Sequence, residues 1–203
     1  MPGSLIIVSA PSGTSKTSLV NSLIKKIPNL YISISHTTRS QRAGESDGVH
    51  YNFVSEQQFL QMLQQDAFLE HAKVFNHYYG TSKTWVLQAL HASKDIILEI
   101  DWQGAKQIRQ SMPEAISIFI LPPSKIALKE RLLHRNQDDI TAINQRMEHV
   151  NNEIAHYSNY DYLIVNDDFN IALDGLMAII MARRLRIEQQ MHNYSHLIKQ
   201  LCG

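Results

Sequence analysis

Short runs of apolar residues alternate along the chain with segments whose apolar residues recur every three or four positions. Residues 5–8, 96–100 and 116–121 are mostly uninterrupted apolar runs, which predicts strands buried on both faces of a sheet. The first run is followed by apolar residues at helical spacing over 19–27, and the Pro-Asn pair at 28–29 ends that helix. Strands that alternate with helices predict an α/β fold with a mostly parallel sheet flanked by helices.

Two long polar stretches interrupt this alternation and predict insertions that form the moving parts of a single domain. The apolar pattern resumes after them with a strand at 162–165 and one long helix from about Ile171 to the end. The predicted division of the domain 1–203 is a core of 1–35, 91–124 and 148–203, with insertions at 36–90 and 125–147.

Composition narrows the classes of partner and location. The 19 basic and 19 acidic residues cancel, so overall charge gives no reason to expect a nucleic-acid or membrane partner. The single cysteine, Cys202, cannot form an internal disulfide, which argues against a secreted disulfide scaffold. The chain has neither a signal-like start nor the ~20 consecutive apolar residues of a membrane span, so a cytoplasmic location is predicted.

The strongest local motif lies between the first strand and the first helix, where a phosphate loop is expected. Backbone N–H groups and the helix dipole bind an anion there, Lys16 would contact the β- and γ-phosphates of a nucleotide, and the Thr17 hydroxyl would bind Mg²⁺. Ser15 departs from the usual glycine and would be strained by about 1–2 kcal/mol if the position needs a positive φ. The alternative is a chance strand–turn–helix sequence. The loop reads Ala10, Pro11, Ser12, Gly13, Thr14, Ser15, Lys16 and Thr17.

A second group of residues suits a second phosphate and a purine base. Arg39 and Arg42 can bind phosphate oxygens bidentately, with Glu45 holding one guanidinium, although a solvated loop is the alternative. A carboxylate such as Glu70 can accept from the N1–H and N2–H₂ donors of guanine, whereas adenine would leave it unpaired. Tyr51 and Tyr79 offer hydroxyl donors and flat apolar surface.

Asp101 and three arginines complete the candidate chemistry. Asp101 ends a buried strand, at the edge where α/β sheets bind ligands, and could hold Mg²⁺ directly or through water, or touch the guanine amino group. Arg131, Arg135 and Arg146 lie in or beside the second insertion, where positive charge would stabilise a migrating phosphoryl group. The alternative for each arginine is an ordinary surface position.

Five segments in order resemble the guanylate kinase family nearly end to end, from the phosphate loop to Asn166-Asp167. They are Ser-His-Thr-Thr-Arg at 35–39, Tyr-Tyr-Gly-Thr-Ser at 78–82, Asp-Trp-Gln-Gly at 101–104, Ile-Phe-Ile-Leu-Pro-Pro-Ser at 118–124 and Asp-Tyr-Leu-Ile-Val-Asn-Asp at 161–167.

The resemblance implies a P-loop kinase fold with a GMP-binding part at 36–90 and a lid at 125–147, both closing on the substrates ATP and GMP, with Mg²⁺. The phosphate loop with Arg131 and Asn166 would bind ATP, and Lys16, Arg42, Arg135 and Arg146 would be catalytic. Asn136 stands where the family usually has glycine. The implied GMP site consists of Ser35, Arg39, Arg42, Glu45, Tyr51, Glu70, Tyr79, Thr81 and Asp101.

Two other functions are compatible with the same family resemblance. A catalytically inactive guanylate-kinase-like binding module would typically lack the lysine of the phosphate loop and the lid arginines, which this chain keeps. An enzyme of the same fold with another acceptor is opposed by Glu70 and Ser35, which favour guanine. Oligomeric state does not follow from the sequence.

Overall fold

The computed structural model describes residues 3–134 and 150–202. Its strands form two sheets. The strands are β1 Leu5–Ser9, β2 Leu30–Ile32, β3 His36–Thr37, β4 Asn52–Phe53, β5 Phe68–Val74, β6 His77–Ser82, β7 Asp95–Glu99, β8 Ile116–Leu121 and β9 Tyr162–Val165. The main sheet has the order β2-β7-β1-β8-β9 and is parallel throughout, whereas the smaller sheet has the order β4-β3-β6-β5.

Helices cover the main sheet and continue past it. They are α1 Lys16–Lys26, α2 Glu56–Gln64, α3 Lys83–His91, α4 Trp102–Ser111, α5 Lys125–His134, α6 Phe169–Arg184, α7 Ile187–Asn193 and α8 Ser195–Cys202. Residues 150–154 are also helical, and Tyr157–Asn159 form one 3₁₀ turn. No described helix is both long enough and apolar enough to cross a membrane.

The prediction of a single long C-terminal helix is wrong, because three helices occupy that segment. The first of them ends at Arg184, and the side-chain amide of Gln190 donates to the Arg184 carbonyl at 2.8 Å. That bond satisfies one of the carbonyls that a helix end leaves free. Neither α7 nor α8 contains a buried residue, so no core packing holds them in line with α6.

The first strand shows why the predicted sheet is covered on both faces. Ile6 and Val8 belong to the core cluster that α1 and α6 share, whereas Leu5 and Ile7 pack in the cluster with α3 and α4. Because successive strand residues point to opposite faces, an uninterrupted apolar run fits a strand between two helical layers. The predicted α/β fold is confirmed.

The smaller sheet is attached to the main one at the carboxyl end of β7. The side chain of Gln107 on α4 accepts from the N–H of His71 at 3.1 Å and donates to the His71 carbonyl at 2.7 Å. This pair of bonds docks β5 against α4. Because α4 begins just after β7, this contact brings the smaller sheet close to the residues that follow β7.

Candidate active site

The phosphate loop turns tightly between β1 and α1. Gly13 has a φ of 90°, and Thr14 donates from both its N–H and its hydroxyl to the carbonyl of Pro11, at 3.3 and 2.7 Å. Ser15 has φ 62° and ψ 27°, which is the left-handed conformation that disfavours a side chain. This strain leaves the first N–H groups of α1, together with half-buried Lys16, at the mouth of the loop.

Asn166, which directly follows β9, is hydrogen-bonded to the phosphate loop. Its side chain is 2% exposed, and its amide donates to the Thr14 carbonyl at 2.8 Å. The backbone carbonyl of Asn166 accepts from Nη2 of Arg131 at 3.2 Å, which ties α5 to the same point. The Nη1 group of Arg131 is buried without a hydrogen-bond partner among the described residues. An unpaired guanidinium donor in this position suits a phosphate oxygen.

Glu99 is a functional candidate that the sequence reading missed. Its Oε2 accepts from the Thr17 hydroxyl at 2.9 Å, while its Oε1 is buried with no partner in the described part of the chain. A hydroxyl and a free carboxylate oxygen are hard oxygen ligands of the kind that Mg²⁺ prefers, so these residues fit the ion. The signal in the sequence was an acid at the carboxyl end of the apolar run 96–100.

Both carboxylate oxygens of Asp101 accept hydrogen bonds from the first turn of α4. Its Oδ1 accepts from the N–H groups of Gln103 and Gly104 at 3.0 and 3.1 Å, and its Oδ2 accepts from the Gln103 side chain at 3.0 Å. It is thus the N-cap of α4. These bonds occupy both oxygens, so Asp101 is a weaker candidate for direct contact with Mg²⁺ than Glu99.

One carboxylate, that of Glu45, organises the arginine loop, which is the segment from Arg39 to Glu45. Glu45 accepts from Nη2 of Arg39 at 2.7 Å and, through its other oxygen, from the N–H of Arg42 at 2.8 Å. The hydrogen bond from Arg39 is the largest of the effects that lower the pKa of Glu45, so the pair is charged at neutral pH. The Arg42 side chain is exposed beside it.

Two tyrosines flank Arg39. The guanidinium carbon of Arg39 lies 5.3 Å from the ring centre of Tyr51, and the rings of Tyr51 and Tyr79 meet edge to face at 5.9 Å. Burial, followed by the proximity of Tyr79 and Glu99, raises the pKa of Tyr51, so its hydroxyl keeps its proton as a donor. Arg39, Tyr51 and Tyr79 thus line one pocket. Ser35 precedes it, and its carbonyl accepts from the N–H of Asn52 at 2.9 Å.

Glu70 lies on β5 opposite Thr81 of β6, on the same face of the smaller sheet as Tyr79. It is 3% exposed, and its Oε1 accepts from the hydroxyl of Thr81 on β6 at 2.5 Å. Burial, which outweighs the Thr81 hydrogen bond, raises the pKa of Glu70 to about 7, and nearby Asp101 acts in the same direction. Among the described residues Glu70 has no cationic partner, and such a buried carboxylate gains strongly from a ligand with paired N–H donors.

Two groups of the predicted residues meet the segment that follows β7. Glu99, at the end of β7, bonds Thr17 of the phosphate loop, and Gly104 in the first turn of α4 lies against Glu70. Arg135, Arg146 and Asn136 lie outside the described residues. A family model described as guanylate kinase matches residues 3–183 of the chain.

The chain belongs to the guanylate kinase family. The guanylate kinase of Yersinia pestis is 56% identical over 201 residues, which cover 98% of this chain and 97% of that protein. The guanylate kinase of Legionella pneumophila (strain Paris) is 51% identical over 199 residues, covering 98% of this chain and 95% of that protein. The crystal structure of guanylate kinase from Anaplasma phagocytophilum aligns with a TM-score of 0.78 and 32% identity, covering 92% of this chain and 88% of the other.

Members of the guanylate kinase family phosphorylate GMP with ATP as donor. The relatives above carry the name of the enzyme, which disfavours the alternative of a binding module.

Proposed function

We propose that the chain transfers the γ-phosphoryl group of ATP to the phosphate of GMP, yielding ADP and GDP. One arrangement carries the proposal: Glu99, at the end of β7, is hydrogen-bonded to Thr17 of the phosphate loop, and α4, which begins just after Asp101, places Gly104 against Glu70. Two nucleotides that occupied these sites would meet through their terminal phosphates. In-line transfer requires this arrangement.

On the donor side, the loop N–H groups and Lys16 bind the β- and γ-phosphates, and Arg131 adds its unpaired donor. Thr17 and Glu99 would hold Mg²⁺, which neutralises phosphate charge when bound. Asn166 keeps the loop in shape through its bond to Thr14, and its place in the ATP site rests on the family resemblance. The predicted roles of Arg135 and Arg146 on the transferred group rest on the family resemblance.

On the acceptor side, Arg39 and Arg42 bind the GMP phosphate, while Glu45 fixes the arginine loop. Tyr51 and Tyr79 donate hydroxyls to the same phosphate. Glu70 accepts from guanine N1–H and N2–H₂. No residue needs to remove a proton from GMP, because its phosphate is already an anion, so catalysis rests on positioning and electrostatic stabilisation.

The test is ADP release in a coupled assay with ATP, Mg²⁺ and each of AMP, GMP, CMP and UMP. GMP should be the only efficient acceptor, with other bases rejected by roughly 10⁴-fold in kcat/KM. A Lys16→Met variant serves as the inactive control for contaminating kinases. Equal turnover of AMP and GMP would contradict the proposal that Glu70 recognises guanine. No turnover with any acceptor would contradict the proposal that the chain catalyses phosphoryl transfer.

A further inference from the structure

A cavity of about 630 Å³ lies beside α4, and none of the described residues assigned to the two nucleotide sites lines it. Its volume falls in the range of roughly 300 to 1,000 Å³ that is usual for small-molecule sites. Trp102, Lys106 and Arg109 of α4 form one wall, and they share one face of the helix because they are four and three positions apart. The segment 156–160 contributes the rest of the described lining. Two segments that are distant in the chain thus border a space large enough for a ligand.

Two stacked rings provide a flat surface in this cavity. The His156 ring lies parallel to that of Trp102, with centroids 3.9 Å apart and an angle of 14° between the planes. Both residues are half-buried and line the cavity, so the pair keeps surface that a ligand can reach. Tyr160, which also lines the cavity, meets the buried ring of Phe119 edge to face at 5.0 Å and thereby anchors the segment 156–160 on the main sheet. Aromatic rings of ligands stack on surfaces of this kind.

Two cations follow the ring stack along the same face of α4. At a rise of about 1.5 Å per residue, Lys106 and Arg109 lie roughly 6 and 10 Å farther along the helix than Trp102. Lys106 is exposed, and its ammonium forms no ion pair with any described residue.

Arg109 is held in place and still keeps donors for a ligand. Its Nη1 donates to the Ser117 hydroxyl at 2.7 Å and to the Asn159 carbonyl, and Oδ1 of Asp161 lies 3.5 Å from the same nitrogen. These bonds within the described part of the chain involve Nη1, which leaves Nε and Nη2. Asp161 offsets one positive charge, but none of the described residues that line the cavity is acidic, so a net positive charge remains for an anion.

We propose that this cavity is a second ligand site, which binds a small aromatic phosphate. The ring of the ligand stacks on the Trp102–His156 pair, and its phosphate accepts from Lys106 and from the remaining N–H groups of Arg109, one to two helical turns away. A ligand that has only a ring or only a phosphate uses half of these contacts. The proposal does not depend on the assignment of the two nucleotide sites.

The experiment is fluorine NMR on the full chain labelled with 5-fluorotryptophan. The chain has two tryptophans, and Trp85 on α3 does not line the cavity, so its signal is the internal reference. The probe is 1-naphthyl phosphate, which has a flat ring and a phosphate but no base for Glu70 to recognise. Titration with it should shift the Trp102 signal until the shift saturates and leave the Trp85 signal in place. Inorganic phosphate and 1-naphthol, each of which is one half of the probe, should bind more weakly by about tenfold or more.

Lys106→Ala tests the anion-binding half of the cavity. Because Lys106 is exposed, its truncation should not disturb the fold, and we expect the Kd for 1-naphthyl phosphate to rise about tenfold through the loss of one charge-assisted contact. Lys26→Ala on α1 is the matched control, since Lys26 is also an exposed helical lysine but does not line the cavity; its Kd should stay within about twofold of wild type. Saturating GMP and ADP should leave the Kd of the wild type unchanged.

A Trp102 signal that does not shift saturably, or equal affinities of Lys106→Ala and the wild type, would overturn the proposal. Displacement of the probe by GMP and ADP would also overturn it, because the probe would then occupy a nucleotide site. These readouts are independent of turnover. A protein that binds 1-naphthyl phosphate as expected but does not phosphorylate GMP would refute the proposed function and leave the second ligand site intact.

Discussion

The carboxylate of Glu70 lies directly against Gly104, so closely that a methyl group at position 104 would stand 2.2 Å from Oε2. Gly104 is in the first turn of α4, and Asp101 caps its N–H at 3.1 Å. A glycine inside a helix is unfavourable by roughly 1 kcal/mol relative to alanine, so its presence here needs a local reason. That reason is the space that the Glu70 carboxylate occupies.

Gly104→Ala should therefore damage the acceptor site selectively. The added methyl group would displace Glu70, and we expect kcat/KM for GMP to fall at least tenfold while the KM for ATP stays within about twofold. Steady-state kinetics with each substrate varied in turn would measure both.

Gly175→Ala is the matched control for that substitution. Gly175 is also helical, in α6, but in the described part of the chain a methyl group there would meet only Ile164, at 3.5 Å. This variant should gain about 1 kcal/mol of stability in chemical unfolding and keep wild-type kinetics. Equal kinetics in the two variants would show that Gly104 does not protect the Glu70 site.

Ser15→Gly should relieve the left-handed backbone of the phosphate loop. With φ at 62°, serine is strained, and glycine removes a penalty of about 1–2 kcal/mol, partly offset by its greater freedom in the unfolded chain. We expect a higher melting temperature and a lower KM for ATP.

Ser93→Gly separates the two effects of the Ser15 substitution. Ser93 has a φ of 60° in the turn between α3 and β7, so its replacement should stabilise the fold without changing the KM for ATP. An unchanged KM in Ser15→Gly would mean that the loop binds phosphate equally well with serine.

Glu99→Gln should raise the requirement for Mg²⁺. Glutamine preserves an acceptor for the Thr17 hydroxyl but loses the charge and the free carboxylate oxygen. We expect the Mg²⁺ concentration for half-maximal turnover to increase about tenfold, measured at saturating ATP and GMP. Glu188→Gln, which removes an exposed carboxylate on α7, is the control and should leave the Mg²⁺ requirement unchanged. An unchanged Mg²⁺ requirement in Glu99→Gln would show that other residues bind the ion.

The affinity for GMP should depend on pH through Glu70. Its carboxyl has a pKa of about 7 in the free protein, and guanine donors bind only the ionised form. The KM for GMP should therefore fall as pH rises from 6 to 8, by about tenfold for one titrating group.

Glu70→Gln distinguishes this titration from that of the GMP phosphate. The variant should show a high KM for GMP, and the part of the pH dependence caused by position 70 should disappear. If the wild type and the variant followed parallel pH profiles, the Glu70 carboxyl would not be the titrating group.

The sequence alone determined the fold class and the position of the phosphate loop. The uninterrupted apolar run of β1 required burial on two faces, and the Lys-Thr pair after it had to open a helix. Local chemistry also indicated that Glu45 holds one of the two nearby arginines, because Arg39 lies only six residues away. The capping role of Asp101 was not predicted and came from the structure. Such signals are readable because they act over short separations in the chain.

Only the tertiary structure decided which distant residues meet. Thr17 and Glu99 are 82 positions apart, and their contact follows from β1 and β7 being neighbours in the sheet. Asn166 reaches Thr14 across 152 positions, and this contact adds support of the phosphate loop to the ATP-binding role that the family resemblance implies. No spacing in the sequence encodes these pairs, since the register of a parallel sheet brings them together only when the chain folds.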